Sequence, residues 1–177
     1  MEFFEKVLGL ISIFERVLGV EGMNKILSFI INEDKELLLL QGSPNDPQLK
    51  KSIWYVVTGS CENTDNSMED TVKREVAEET GLNALDIIYL NWVFKYKSLG
   101  KKCTEHAYMT FVQKTNIKLN EESIGYKWCD IDEFIEKIDW LGDKNKLKNV
   151  LKKAINKEIF FKIKEIEEYK RICYGNN

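Results

Sequence analysis

Arg74-Glu75-Val76-Ala77-Glu78-Glu79-Thr80-Gly81-Leu82 is the stretch on which the reading of this chain turns. On a helix, Glu75, Glu78 and Glu79 stand at i, i+3 and i+4, so three carboxylates share one side of the cylinder. Such a cluster repels itself unless a cation sits among the oxygens. A hard divalent ion such as Mg²⁺ or Mn²⁺ answers that need because it prefers oxygen ligands. The alternative is a solvated acidic face, the usual fate of a charge run.

The surroundings favour the first reading. Upstream, Met68, Val72 and Val76 step at i, i+4 and i+8 and give the helix an apolar stripe beside the acids. Gly81 supplies the left-handed residue on which helices stop. Before the helix comes an apolar run, 53–57, that reads as a strand. It ends at Thr58-Gly59, and a polar loop, 60–67, joins it to the helix. Strand, glycine, polar loop, acidic helix and glycine stop form one consistent unit.

That unit resembles the Nudix box. The family pattern runs glycine, five residues, glutamate, seven residues, then R-E-U-x-E-E-x-G-U, with U a bulky aliphatic residue. Arg74 to Leu82 match its second half in full. The first half departs from it: counting forward from Gly59 puts Asp65 at the glutamate position, and counting back from Arg74 puts Asn66 there, so the loop is one residue longer than the standard box. The resemblance implies that Glu75, Glu78 and Glu79 hold Mg²⁺ or Mn²⁺ together with a backbone carbonyl at Gly59 or Thr58. It also implies that Arg74 orients those carboxylates, where the plain alternative is an i,i+4 ion pair with Glu78. It implies a base outside the box as well, and Glu122, in the acidic loop before a late strand, is the candidate, with Glu121 its rival. The catalytic set expected is therefore Arg74, Glu75, Glu78, Glu79 and Glu122. Glu105 is another carboxylate that could face the metal.

A finer likeness concerns Thr58-Gly59-Ser60 and Glu122…Tyr126-Lys127-Trp128. These are similar to elements of the dihydroneopterin triphosphate pyrophosphatase branch. The implied activity is Mg²⁺-dependent hydrolysis of a phosphoanhydride in a nucleoside diphosphate linked to a further group, or in a pterin or nucleoside triphosphate. ADP-ribose or diadenosine polyphosphate hydrolysis is the alternative, as is a catalytically weak fold that only binds a nucleotide. Trp54, Trp92, Phe94 and Tyr96 are candidates to stack on a ring, against the ordinary reading as core. Lys95, Lys97, Lys101 and Lys102 cluster at one turn, where a solvated hairpin tip is the plain reading.

Composition bounds the rest. The chain has 177 residues, 44% hydrophobic and 31% charged, with a net charge of -3. This suits one globular domain over 1–177 and argues against a broad nucleic-acid surface. Cysteines at 61, 103, 129 and 173 show no metal-ligand spacing, and His106 is the only histidine. Free thiols in a reducing cytoplasm are expected, with no zinc and no membrane partner.

Along the chain we expect an amphipathic helical extension over 1–22, its apolar face packed on the domain or on a second copy in a homodimer. Strands are expected at 25–31 and 36–41, then 53–57, 87–96, 103–114 and 126–129. Helices are expected at 68–80 and 131–138, the latter with Asp130 or Asp132 near its cap, and over 144–169 as a long terminal helix. The fold class is α/β (α+β), and the resemblance makes it an α/β/α sandwich around a mixed sheet.

Overall fold

The computed structural model describes residues 22–44, 52–98 and 100–157. The strand β1 (Met23–Ile31) organises it. Its run Ile26-Leu27-Ser28-Phe29-Ile30-Ile31 has no polar alternation and is buried throughout. Such a strand must be covered on both faces. Ile26 and Ile30 belong to one core, with Val72 and Val76. Leu27, Phe29 and Ile31 belong to the other, with Phe134, Leu147 and Leu151. Ser28, the polar exception, bonds Thr110 Oγ1 at 2.7 Å. Each such fully buried aliphatic side chain contributes roughly 1.5–3 kcal/mol.

Around β1 the sheet is mixed. β2 (Leu37–Gly42), β3 (Trp54–Tyr55) and β4 (Val57–Ser60) precede α1 (Met68–Thr80). β5 (Ala84–Ser98), β6 (Lys101–Val112) and β7 (Ser123–Cys129) follow, then α2 (Ile131–Lys137) and α3 (Lys144–Ile155). The strand order is β3-β2-β1-β6-β5, with β4 paired to β1 and β7 paired to β2. β1 and β6 run parallel, and the remaining pairs run antiparallel. α1 lies on one face, and α2 and α3 on the other. This is the mixed-sheet α/β fold with helices on both faces that the sequence predicts.

Two strand boundaries differ instructively. The run 53–57, expected as one strand, is divided between β3, which pairs with β2, and β4, which pairs with β1 and continues through Ser60. The chain changes partners near Val56, and hydropathy is blind to a change of partner. β7 begins at Ser123, three residues before its expected start, because the ladder to β2 extends to Ser123 opposite Gly42. The last helix, expected as one long helix over 144–169, ends at Ile155, where Asn156 caps it and Lys157 turns to φ 55; 158–169 and the helix expected within 1–22 fall outside the described residues.

Candidate active site

α1 is positioned at both ends. The Ser67 hydroxyl accepts from Asp70 N at 3.1 Å, a side-chain N-cap, and Gly81 closes the helix at φ 71 with its N–H on Ala77 O. Its apolar side, Thr71, Val72 and Val76, is buried. Burying that side turns Glu75 and Glu79 towards β4.

Glu75 rests directly on Gly59, where a Cβ would overlap the Glu75 carboxyl. Any residue but glycine would displace that carboxylate. Glu79 is 2% exposed. Its Oε1 accepts the Thr58 N–H at 3.3 Å, and its Oε2 is buried without a partner. Burial first, then the charges of Glu122 and Glu75, push its carboxyl up to about 8. Burial also raises Glu75, against the pull of Arg74. Glu122 lies in the loop before β7, its N–H on Asn120 Oδ1, and its charge bears on both Glu75 and Glu79. Glu78 points outward, with its side chain 56% exposed.

Arg74 ties this side of the fold together. Its Nε and one terminal nitrogen donate to the two oxygens of Asp65, at 3.1 and 2.9 Å. That same nitrogen donates to Ser60 O at 2.9 Å. The other nitrogen reaches Glu75 at 2.8 Å and Glu78 at 3.3 Å. Asp65 also accepts from Thr71 Oγ1 and from the Glu62 N–H, both at 2.9 Å. Arg74 holds the Asp65 carboxyl well below the usual carboxylate range. Of the two residues competing for the loop's acidic position, Asp65 is therefore the one wired to Arg74. The longer loop bends so that an aspartate fills the place. Sequence reasoning left that choice open and did not anticipate Thr71 as a second clamp, though a threonine three residues before the arginine was the available signal.

The residues present fit a divalent ion. A buried carboxylate oxygen is unpartnered, a second carboxylate is seated on a glycine, and a third and fourth are close by, with one guanidinium among them. Among the described residues no three His, Cys, Asp or Glu side chains already converge on one point. Arg74 engages Glu75, and Glu78 faces solvent, so a bound ion would draw those two inward.

Other candidates lie elsewhere. Glu105 shares the parity of Ala107 and Met109, on the sheet face opposite α1, and its Oε1 accepts the Tyr96 hydroxyl at 3.1 Å. It does not face the box carboxylates. His106 pairs with Tyr89 Oη at 3.3 Å, as a strand residue in a polar contact. Trp54, Trp92 and Phe94 pack against the core beneath α2 and α3. Lys97 and Lys102 are opposite each other at the exposed end of the β5–β6 hairpin, next to Lys95 and Lys101.

Comparison with known proteins places this geometry. Solved structures with the same fold include a C. elegans Ap4A hydrolase in a binary complex, 18% identical, TM-score 0.57, covering 76% of this chain and 96% of that one. The NUDIX domain of Shewanella oneidensis NrtR, complexed with ADP ribose, is 17% identical with a TM-score of 0.60, covering 76% and 89%. The E. coli dihydroneopterin triphosphate pyrophosphohydrolase is 21% identical with a TM-score of 0.54, covering 71% and 92%. No curated protein matches. The family model described as the NUDIX domain matches residues 24–150, which span β1 to the middle of α3 and contain every carboxylate described above. The chain belongs to the NUDIX domain family, whose hydrolases act on phosphoanhydride bonds.

Proposed function

We propose that this chain is a Mg²⁺- or Mn²⁺-dependent pyrophosphohydrolase, with Glu75, Glu78 and Glu79 as metal ligands, aided by the Gly59 carbonyl. A bound divalent ion supplies charge neutralisation for phosphate oxygens and acidifies water. The rest is done by the chain. Gly59 lets Glu75 approach β4, and the Thr58 N–H orients one oxygen of Glu79, leaving the other for the ion. Arg74, anchored by Asp65 and the Ser60 carbonyl, fixes the direction of Glu75. Glu122, across the site on a separate loop, is the proposed base that takes the proton of the attacking water. The catalytic set is thus Arg74, Glu75, Glu78, Glu79 and Glu122.

The observation that carries this reading is the orphaned, buried Oε2 of Glu79. A buried carboxylate oxygen without a partner is costly, and a cation relieves that cost. The substrate is proposed to be a nucleotide or pterin polyphosphate, with triphosphates, ADP-ribose and diadenosine polyphosphates as the compounds to compare. The whole chain, 1–177, is read as one cytoplasmic domain that engages no nucleic acid. Among the described residues no helix is long and apolar enough to cross a membrane. The apolar repeat in 1–22 is proposed to pack on the domain or in a homodimer. The test is a phosphate-release screen over those compounds with Mg²⁺ or Mn²⁺ and with EDTA. Metal-dependent turnover of at least one compound is expected, and none at all would sink the reading.

A further inference from the structure

Tyr55 and Ser123 meet where β7 leaves its ladder. The ladder from β2 to β7 is regular from Leu37 opposite Cys129 to Gln41 opposite Gly125. Then Gly42 is opposite Ser123, so Ile124 is left over as a bulge, 56% exposed. A bulge of one residue moves the residues before it to the other face of the sheet. It gives Ser123 the side of Gly42, which is the side of Leu38, Leu40 and α1. In an unbroken ladder Ser123 would point to the side of α2, and the turn before it would start from there.

Tyr55 is on that same side. It is opposite Leu40 and packs against the core under α1. Its hydroxyl and Ser123 Oγ are 2.8 Å apart, and Ser123 is 7% exposed. The bond reaches from β3 across β2 to the first residue of β7. The residue before Ser123 is Glu122, in the turn, with its N–H on Asn120 Oδ1. The turn is thus held by Asn120 at one end and by Tyr55 at the other. Glu122 is delivered on the α1 face, where its charge bears on Glu79 and Glu75. Thr58, three residues after Tyr55, gives its N–H to Glu79. One short stretch, 55–58, therefore touches both the box helix and the turn that carries Glu122. A second buried hydroxyl pair, Ser28 with Thr110, is inside regular strands and reaches no turn.

Resting on the reading of Glu122 as the base, we infer that Tyr55 is a positioning residue: through its bond to Ser123 it holds the bulged start of β7 and keeps Glu122 turned towards Glu75 and Glu79. Tyr55 touches no reacting atom itself. A general base must be within hydrogen-bond reach of the water it activates, and a carboxylate on an exposed turn samples many positions unless its backbone is fixed. Tyr55 removes that freedom at the residue next to the base. Without the hydroxyl, fewer molecules have Glu122 in place at any moment. That lowers kcat and leaves the metal ligands where they are, because Tyr55→Phe keeps the ring and its packing.

The test is a double-mutant cycle of Tyr55→Phe and Glu122→Gln in the full chain. It is read as kcat in saturating Mg²⁺ on whichever of the triphosphates, ADP-ribose or diadenosine polyphosphates wild type hydrolyses fastest. Glu122→Gln should lower kcat about 100-fold. Tyr55→Phe should lower it about tenfold, the equivalent of one hydrogen bond, with KM and Mn²⁺ affinity within about twofold of wild type. In the Glu122→Gln background Tyr55→Phe should cost nothing further. Ser28→Ala breaks the hydroxyl pair that reaches no turn and should leave kcat at the wild-type value. In EDTA, where nothing turns over, amide hydrogen exchange over 121–124 should quicken about tenfold in Tyr55→Phe while α1 keeps its wild-type rates. Four results would each overturn the inference and leave the base standing: no loss of kcat in Tyr55→Phe, an equal loss in both backgrounds, a loss of the same size in Ser28→Ala, or unchanged exchange over 121–124. Absence of turnover in wild type, or an unchanged kcat in Glu122→Gln, removes the base and the inference with it.

Discussion

Both faces of this sheet bury an apolar core, but the α1 face carries a polar network beside its own. Between Gly59 and Gly81 one arginine joins a loop aspartate, a strand carbonyl and two helix glutamates. On the other face α2 and α3 close over Phe29, Leu39 and Met109 by apolar packing, with Phe134 fully buried among them. Apolar packing is non-directional and tolerates small shifts, whereas hydrogen-bonded carboxylates have one productive arrangement. The difference teaches where each kind of damage should show: as lost stability on the packed face and as lost turnover on the wired one.

The largest effect expected is on the packed face. Phe134→Ala removes a side chain with no exposure that meets Phe29 edge-on at 6.1 Å. It should lower unfolding free energy by about 3–5 kcal/mol. Urea denaturation measures this, and kcat per folded molecule should stay within about threefold of wild type. A matching collapse of kcat would break the division between faces.

Next in size is Glu79→Gln. The variant keeps shape and loses a buried negative ligand, so kcat should fall about 100-fold or more, on the order of 2.7 kcal/mol in the barrier. Thermal unfolding without metal should be no earlier than in wild type above about pH 8, where Glu79 is ionised and a neutral amide ends its repulsion from Glu75 and Glu122. Steady-state kinetics on whichever substrate the screen identifies supplies the comparison, and near-normal kcat would remove Glu79 from the site.

Gly59→Ala should cost somewhat less, about tenfold in kcat or more, because the new Cβ must push the Glu75 carboxyl aside. The rest of the site is left standing, and the shift should appear as weaker Mn²⁺ binding in a direct titration. Unaltered Mn²⁺ affinity would mean that Glu75 has room the structure does not show.

How much of this was legible in the sequence follows the same division. The box helix, its glycine stop and the glutamate spacing could be read because each is local: i, i+3 and i+4 are fixed by helix geometry alone. The strand at 25–31 was legible from its apolar residues, whereas its burial on both faces is set by what packs on each side and is known only from the structure. The choice between Asp65 and Asn66 was not legible either, because it depends on how an irregular loop folds back to Arg74 nine residues on. The side on which Glu105 falls was likewise hidden. It follows from the parallel register of β6 on β1, a pairing between residues 80 apart in sequence, and a one-residue shift would have reversed it.

The most finely graded effect is a pH dependence that Glu79 contributes on the wired face. In the folded chain Glu79 is pushed from 4.5 to about 8, chiefly by burial. Between those two values the folded state binds a proton that the unfolded state has lost. Stability contributed by protonated Glu79 is thus complete below about 4.5 and is gone once pH has risen past about 8. The slope attributable to this one group is on the order of 1.4 kcal/mol per pH unit at most. Glu75 and Glu105 are raised in the same direction, so wild type alone cannot isolate it. The difference between wild type and Glu79→Gln can: in EDTA, melting temperatures of the two should diverge as pH rises from 5 to 8, with wild type falling faster. Added Mg²⁺ favours the ionised carboxylate and should narrow the gap from the wild-type side only. Parallel curves in EDTA would mean that Glu79 is already charged in the folded protein and that its unpartnered oxygen is satisfied in solution without a metal ion.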